Sequence, residues 1–417
     1  MAVDEDLARV IRDEGARLLA TLIRTVGDFS IAEEAVQEAA IAALRTWSER
    51  GLPDEPRAWL TTAARRKAID IIRRERVRVG KERAGAELMD RQRDDPFEPP
   101  DSEISDDLLR LIFTCCHPSL APEGQLALAL RTLCQLSVAQ VASVLLTSEA
   151  AVAKRLTRTR QKIAAARIPY RVPGDHELPE RLAVVCGVVH ALYTAGHHPD
   201  SGTRLVDVDA CAEGVRLARL LCQLMPDEPM PAAVLALALL TEARRPARTD
   251  ADGAVVLLSD QDRSRWDHDL VSEGAGLLNA SLQRSEGVAD PYQLQAAIAW
   301  EHDRAPSYAA TDWAEIVRLF DLLVSVAPTW SAALSRAVAV AELDGPAAGL
   351  AAVDSLGSPT RAAAVRAELL ARLGRYAEAA DAGEVSLSGE LSAPERDFRE
   401  RQRAAWLAQA AHGSHGG

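Results

Sequence analysis

Aromatic residues make up only 4% of this 417-residue chain. Its cores must therefore rest on small and aliphatic side chains. Ala and Leu dominate, which favours helix packing over sheets. No apolar run reaches the roughly 18 residues that a membrane span needs. The N-terminus, MAVDEDLARV, is acidic and lacks the basic and apolar regions of a signal peptide. A soluble, cytoplasmic protein with no membrane partner is the expectation. Its 48% hydrophobic content suffices for real cores, and its length suffices for two to four domains.

Cysteine chemistry is sparse too. Cys115, Cys116, Cys134, Cys186, Cys211 and Cys222 include no C-x-x-C pair. In a reducing compartment they read as buried small hydrophobes. The run Cys115-Cys116-His117 invites a metal reading, but adjacent cysteines chelate one tetrahedral ion poorly and no partner pair lies at ligand spacing. A helix end stopped by Pro118 accounts for it. Two polar clusters lie further on. One comprises Asp260, Asp262, Arg263, Arg265, Trp266, Asp267 and His268; the other Asp290, Tyr292, Gln293 and Gln295. Carboxylates near a histidine can do acid–base work. No nucleophile motif, phosphate-binding glycine loop or metal-ligand pattern accompanies them, so a structural or docking role is favoured. We therefore expect no catalytic residues, no metal and no cofactor.

Charge is where the chain becomes informative. The formal net charge is −13, yet two helix-forming segments, Arg65 to Arg78 and Lys154 to Arg171, are basic. Cations gathered at two places in an acidic chain suggest two DNA-contacting elements. Helical spacing runs from Glu5 to Val26, from Ile31 to Trp47 and from Arg57 to about Arg76. Asp28 to Ser30 supplies N-cap residues, Gly51-Leu-Pro53 a break, and Pro56 an early helix position. In the third helix Trp59, Leu60, Ala63, Ala64, Ala68, Ile69 and Ile72 form an apolar stripe with the arginines mostly off it.

Residues 79–103, which contain DRQRDDPFEPPDSE, read as a linker. Helical pattern resumes at Ile104. The stretch LSVAQVASVLLTSEAAVAKRLTRTRQKI then reads as a helix-turn-helix. Ser137 caps its first helix and Ser148 its second. Val152, Leu156 and Ile163 should face inward, leaving Lys154, Arg155, Thr157, Arg158 and Arg160 outward. Such cations read guanine edges or bind phosphate; a merely solvated basic helix is the bland alternative. A Pro-bearing stretch, 169–180, marks a second boundary.

The segments DFSIAEEAVQEAAIAALRTW and PRAWLTTAARRKAIDIIRRE closely resemble region 2 of the extracytoplasmic-function (ECF) sigma factors of the sigma-70 family. Asp28, Ala32, Glu33, Glu34, Val36, Gln37 and Glu38 match the first family helix. Pro56, Trp59, Leu60, Ala64, Arg65, Ala68, Asp70 and Arg73 match the second. The helix-turn-helix resembles region 4 of the same family and follows in the right order. The resemblance implies an RNA polymerase sigma factor that directs transcription initiation. Its partners would be core RNA polymerase, through the β′ clamp helices and the β flap, and promoter DNA.

By the same resemblance Asp28, Glu33, Glu34, Gln37 and Glu38 would bind core polymerase. Arg65, Arg66, Lys67, Asp70, Arg73 and Arg74 would act at the −10 element. Ala153, Lys154, Arg155, Thr157 and Arg158 would act at the −35 element. Arg66 departs from the asparagine often found there, so the base read at that place is open.

Ordinary members of this family would end near residue 170. The remainder resembles a subgroup with a tetratricopeptide-like extension, through LCQLMPDEP, VVLLSDQDRSRWD, DPYQLQAAIAW and RAVAVAELDGPAAGL. Tyr193-Thr-Ala-Gly-His197 stands where that subgroup often has an F-N-E-G-Y-like string. Two stretches suggest helix hairpins, Ser331 to Gly349 and Leu369 to Ser386; the second is the clear unit, with Gly374 at the turn, Tyr376 as the packing aromatic and Ala379 where helices touch.

The expected fold is all-α. Region 2 occupies 1–78, a linker 79–103, region 4 104–168, a second linker 169–180, the helical extension 181–410 and a disordered tail 411–417. The extension would regulate activity or receive a regulatory protein. The runner-up is a one-component helix-turn-helix regulator that senses a ligand or protein through its C-terminal domain.

Overall fold

The computed structural model describes residues 2–79, 101–145, 147–199, 202–287, 289–357, 362–389 and 391–413. The fold is all-α; among the described residues one isolated bridge, Thr249 to Val255, is the only β pairing. The chain divides into two compact units, Met1–Val188 and Val189–Gly417.

The first unit contains α1 (Ala2–Val26), α2 (Phe29–Arg50), α3 (Pro56–Val79), α4 (Asp101–Cys115), α5 (Pro122–Thr132), α6 (Val138–Val144) and α7 (Glu149–Ala165), and the start of α8 (Leu178–His197). Asp28 caps α2 by accepting from the backbone N–H groups of Ser30 and Ile31. Gly51, at φ +82°, ends it in a conformation that a side chain would strain. Ala32, Ala35, Ala39 and Ala43 give α2 a small-residue stripe, so α1 and α3 approach closely. Trp47 fills the far end, 1% exposed, with Trp59 edge-on at 5.5 Å.

Helix α3 buries Leu60, Ala64, Ala68 and Ile71. Ile69 and Ile72, expected on the apolar stripe, are only half-buried. Four-residue steps join Leu60, Ala64 and Ala68, and a three-residue step then carries the buried line to Ile71, between those two positions.

Helix α4 begins at Asp101, three residues before the expected Ile104. Of the expected linker 79–103, Val79 is in α3, 101–103 are in α4, and 80–100 lie outside the described residues. Helix α4 ends at Cys115, just before Pro118. Both adjacent thiols are buried, and burial pushes Cys115 up to about 12, so it is an inert packing group. In the Pro-bearing stretch, Pro173 is buried. The Tyr170 hydroxyl reaches two backbone carbonyls, Ala20 at 2.9 Å and Asp107 at 3.0 Å.

The second unit holds the end of α8, then α9 (Val208–Leu224), α10 (Pro229–Ala243), α11 (His268–Arg284), α12 (Pro291–Arg304), α13 (Trp313–Val326), α14 (Trp330–Asp344), α15 (Pro346–Ser355), α16 (Ala363–Arg372), α17 (Tyr376–Ser386) and α18 (Ala393–Gly413). Consecutive helices pack in pairs along the chain. Repeated hairpins therefore extend beyond the two suggested by sequence. Both of those are present: α14 turns into α15 at Gly345, and Gly374, at φ +74°, turns α16 into α17, with Ala379 fully buried. Helix α10 is buried on every side from Ala232 to Leu240 and forms a central rod. Helix α18 continues to Gly413, so the first residues of the expected disordered tail are helical; 414–417 lie outside the described residues.

The two polar clusters do structural work. Asp262, Asp267 and Asp290 accept from backbone N–H groups at helix starts, and Gln293 completes a capping box with Asp290. Arg263 stacks over Trp266 at 4.4 Å and donates to the carbonyls of His302 and Ala305. No described helix is long and apolar enough to cross a membrane.

Candidate functional site

Two cationic helices and one acidic helix share the first unit. Helix α7 exists because Ser148 accepts from Ala151 N–H at its start, while Val152 and Leu156 are buried on one side. Ahead of it, Ser137 and Gln140 form a reciprocal capping box on α6. The inward side of α7 departs from expectation at its third position. Thr159 is buried where Ile163 was expected, and Ile163 is half-buried. The reason is local: the Thr159 hydroxyl donates to Arg155 O, which satisfies it, and Gly124 of α5 leaves space beside it.

On the outward side Ala153, Lys154, Thr157 and Arg158 are exposed, and Arg155 is half-buried. Arg160 was expected to point outward and does not. Its Nη2 donates to Glu33 Oε2 on α2. Arg131, at the end of α5, donates from Nε to Glu33 Oε1 at 3.0 Å and from Nη1 to Leu136 O at 2.7 Å. The three side chains are 14%, 18% and 22% exposed for Glu33, Arg131 and Arg160. Of the acidic face expected on α2, Glu33 is thus occupied and Asp28 serves as the cap. Glu34 and Gln37 are exposed; Glu38 is half-exposed and pairs with Lys67 of α3 at 3.2 Å.

On α3, Arg66, Asp70, Arg73 and Arg74 are exposed, while Arg65 and Lys67 are half-buried. Exposed cations thus recur along successive turns, an arrangement chemically able to hold phosphate. A further ionic knot ties α1 to α4. The Asp107 carboxylate is fully buried and accepts from Arg24 Nε at 2.7 Å and Arg110 Nη1 at 2.7 Å. Arg131, Asp107, Arg24 and Tyr170 were not singled out from sequence. Their partners on other helices lie 63 to 150 residues away, and no local pattern marks such pairs.

In the second unit, Tyr193, His197, Cys211 and Glu242 converge. Ligand atoms of His197, Cys211 and Glu242 lie within 4.8 Å of one another. The His197 ring is nevertheless engaged: Arg248 Nη1 lies 2.9 Å from its Nε2 and also donates to its backbone oxygen. Burial, then the charges of Arg248, His198, Arg244 and Arg245, hold His197 down to about 2, so it is neutral. Four cationic or ring neighbours of that kind oppose a bound metal ion, and the set serves as a hydrogen-bonded pin for the Tyr193–His197 string. A cavity of about 870 Å³ in this unit is bordered by His198 and Arg248 of the same cluster and lined further by His302, Trp313, Glu368 and Arg372.

Family comparisons agree with the sequence order. Residues 10–78 match sigma-70 region 2, and 110–163 match sigma-70 region 4. Residues 181–282 match a family of unknown function, DUF6596. An uncharacterised protein of Rhizobium meliloti (strain 1021) is 38% identical over 390 residues, 92% of each chain. A probable ECF RNA polymerase sigma factor, SigI, of Mycobacterium tuberculosis is 28% identical over 184 residues, 43% of this chain and 62% of the relative. No solved structure matches the chain.

Proposed function

This chain belongs to the ECF sigma factors of the sigma-70 family, the RNA polymerase sigma factors, and from that premise we propose how it divides its work among its elements. Helix α2 docks on core polymerase through Glu34, Gln37, Glu38 and, once released, Glu33. Helix α3 engages the −10 element with Arg65, Arg66, Lys67, Arg73 and Arg74, with Asp70 beside them. Helix α7 reads the −35 element with Lys154, Arg155, Thr157 and Arg158, and Ala153 allows close approach to the groove. The observation that carries this reading is the exposure of two cationic strips on helices whose opposite faces are buried. Bases and phosphates need cations that the core leaves available.

The helical extension, which includes the DUF6596 segment, regulates this activity in the cytoplasm. Stacked helix pairs present broad surfaces suited to a protein partner. The experiment is co-purification of the full chain with core polymerase, followed by run-off transcription on a genomic promoter pool. Initiation from a defined promoter set is the expected result. Polymerase that neither binds the chain nor initiates with it defeats the reading in favour of a DNA-binding regulator that acts alone.

A further inference from the structure

The cavity of the second unit concentrates the chain's scarce aromatic residues. In a sequence with seven Trp, five Tyr and five Phe, four of these line it: Tyr308, Trp313, Phe320 and Phe398. Trp313 centres an aromatic corner, with His302 edge-on at 5.3 Å and Tyr308 edge-on at 5.2 Å. Burial, then the charges of Arg244 and Arg263, holds His302 down to about 3. The corner therefore presents neutral rings.

Most charges in the wall are already matched. Arg372 pairs with Glu342, which also accepts from the Tyr308 hydroxyl. Arg399 pairs with Glu395 and donates to Ser386 O, while Arg248 is turned onto His197. Glu368 of α16 is the exception. Its Oε2 accepts from Gln402 Nε2 of α18 at 3.2 Å, and among the described residues no cation pairs with it. Burial pushes its carboxyl above the usual range. Glu368 lies one turn before Arg372 on α16, and Arg372 is linked through Glu342 to Tyr308. The unmatched carboxylate and the aromatic corner thus border one space.

We propose that this cavity binds a small organic cation, an amine or guanidinium on an apolar or aromatic body. Glu368 supplies the counter-charge, and the rings of the corner pack against the ligand. A carboxylate short of solvation is stabilised by a cation that brings its own apolar surface, and aromatic faces attract the same charge. An anion would meet Glu368 while the arginines stay tied to their partners. The volume, about 870 Å³, suits a whole small molecule.

The test is isothermal titration calorimetry on the full-length chain, without polymerase or DNA. Three probes share one body: phenylbutylamine, phenylbutanol and phenylbutanoate. The amine is expected to bind in the sub-millimolar range, about tenfold more tightly than the alcohol, and the butanoate not measurably. Glu368→Gln keeps an acceptor for Gln402 and removes the charge. It should cut amine affinity about tenfold and leave alcohol binding as it was. Val338→Trp, which fills the cavity from α14, should abolish binding of both, with circular dichroism checking the fold of each variant. No binding of the amine, equal binding of amine and alcohol, or preference for the butanoate overturns the proposal. So does an amine affinity that Glu368→Gln leaves unchanged or that survives Val338→Trp. If Val338→Trp fails to fold, the probe comparison and Glu368→Gln still decide. The sigma-factor reading is tested by polymerase binding and stands apart from every one of these outcomes.

Discussion

Lys154 and Arg158 stand one turn apart on the exposed side of α7, while Val152 and Leu156 anchor the buried side. Replacing both cations with Ala should lower run-off transcription at least tenfold and leave core polymerase binding unchanged, as measured by pull-down. Each lost contact to a base or phosphate is worth about 1–3 kcal/mol, and neither side chain supports the core. Loss of polymerase recovery would instead mean that these residues are misassigned.

His197 gives a prediction of another kind. Its folded pKa is depressed to about 2, below the ordinary value near 6.5, so the unfolded chain takes up a proton first as pH falls. Its stabilising contribution is present above about pH 6.5 and is lost progressively as pH falls toward 2. His197→Asn should flatten the pH dependence of the melting temperature between pH 7 and pH 5, read by circular dichroism. An unaltered slope would show that His197 is not the titrating group. Of these residues, Lys154 and Arg158 were legible because helical spacing separates them from Val152 and Leu156. His197 was visible only as a departure from a family string, since burial and Arg248 reach it through the fold.

At the scale of elements, glycine marks where helices touch. A Cβ on Gly214 of α9 would lie 2.9 Å from both Cα and Cβ of Tyr193 on α8. Gly214→Ala should therefore force the two helices apart and cost about 1–3 kcal/mol, read by thermal or urea unfolding. Gly276 of α11 is exposed with open space around it. There Gly276→Ala should stabilise by about 0.5–1 kcal/mol, because the chain loses less freedom on folding. Equal effects at the two sites would refute the close-approach account.

Most helices were legible from spacing, caps and breakers: Asp28, Ser137 and Ser148 cap where the sequence placed them. One miss was rotational: Ile71 is buried where Ile69 and Ile72 were expected, because a helix of mixed Ala, Ile and Thr leaves its buried line undefined by about one residue and the neighbouring helix chooses. The other was along the axis: Thr159 and Ile163 lie one turn apart on the same side of α7, and full burial stops at Thr159.

At the scale of the molecule, a chain ended after Val188 tests whether the extension governs promoter output. The cut belongs there and not near residue 172, because Leu182, Val185 and Cys186 are buried within the first unit and Arg181 donates to Phe113 O at 2.6 Å. We expect the truncated chain to change reporter output in cells several-fold; unchanged output would count against regulation by the extension. The amino-acid sequence alone determined the all-α class, the order of the two cationic helices and the acidic helix before them. Each is encoded locally, by helical spacing, capping residues and runs of like charge. Only the tertiary structure decided that Glu33 is claimed by Arg131 and Arg160, that Tyr170 bridges two helices, and that the two cationic strips share one compact unit. Those outcomes depend on partners up to 150 residues away, where burial, not local pattern, sets which charges meet.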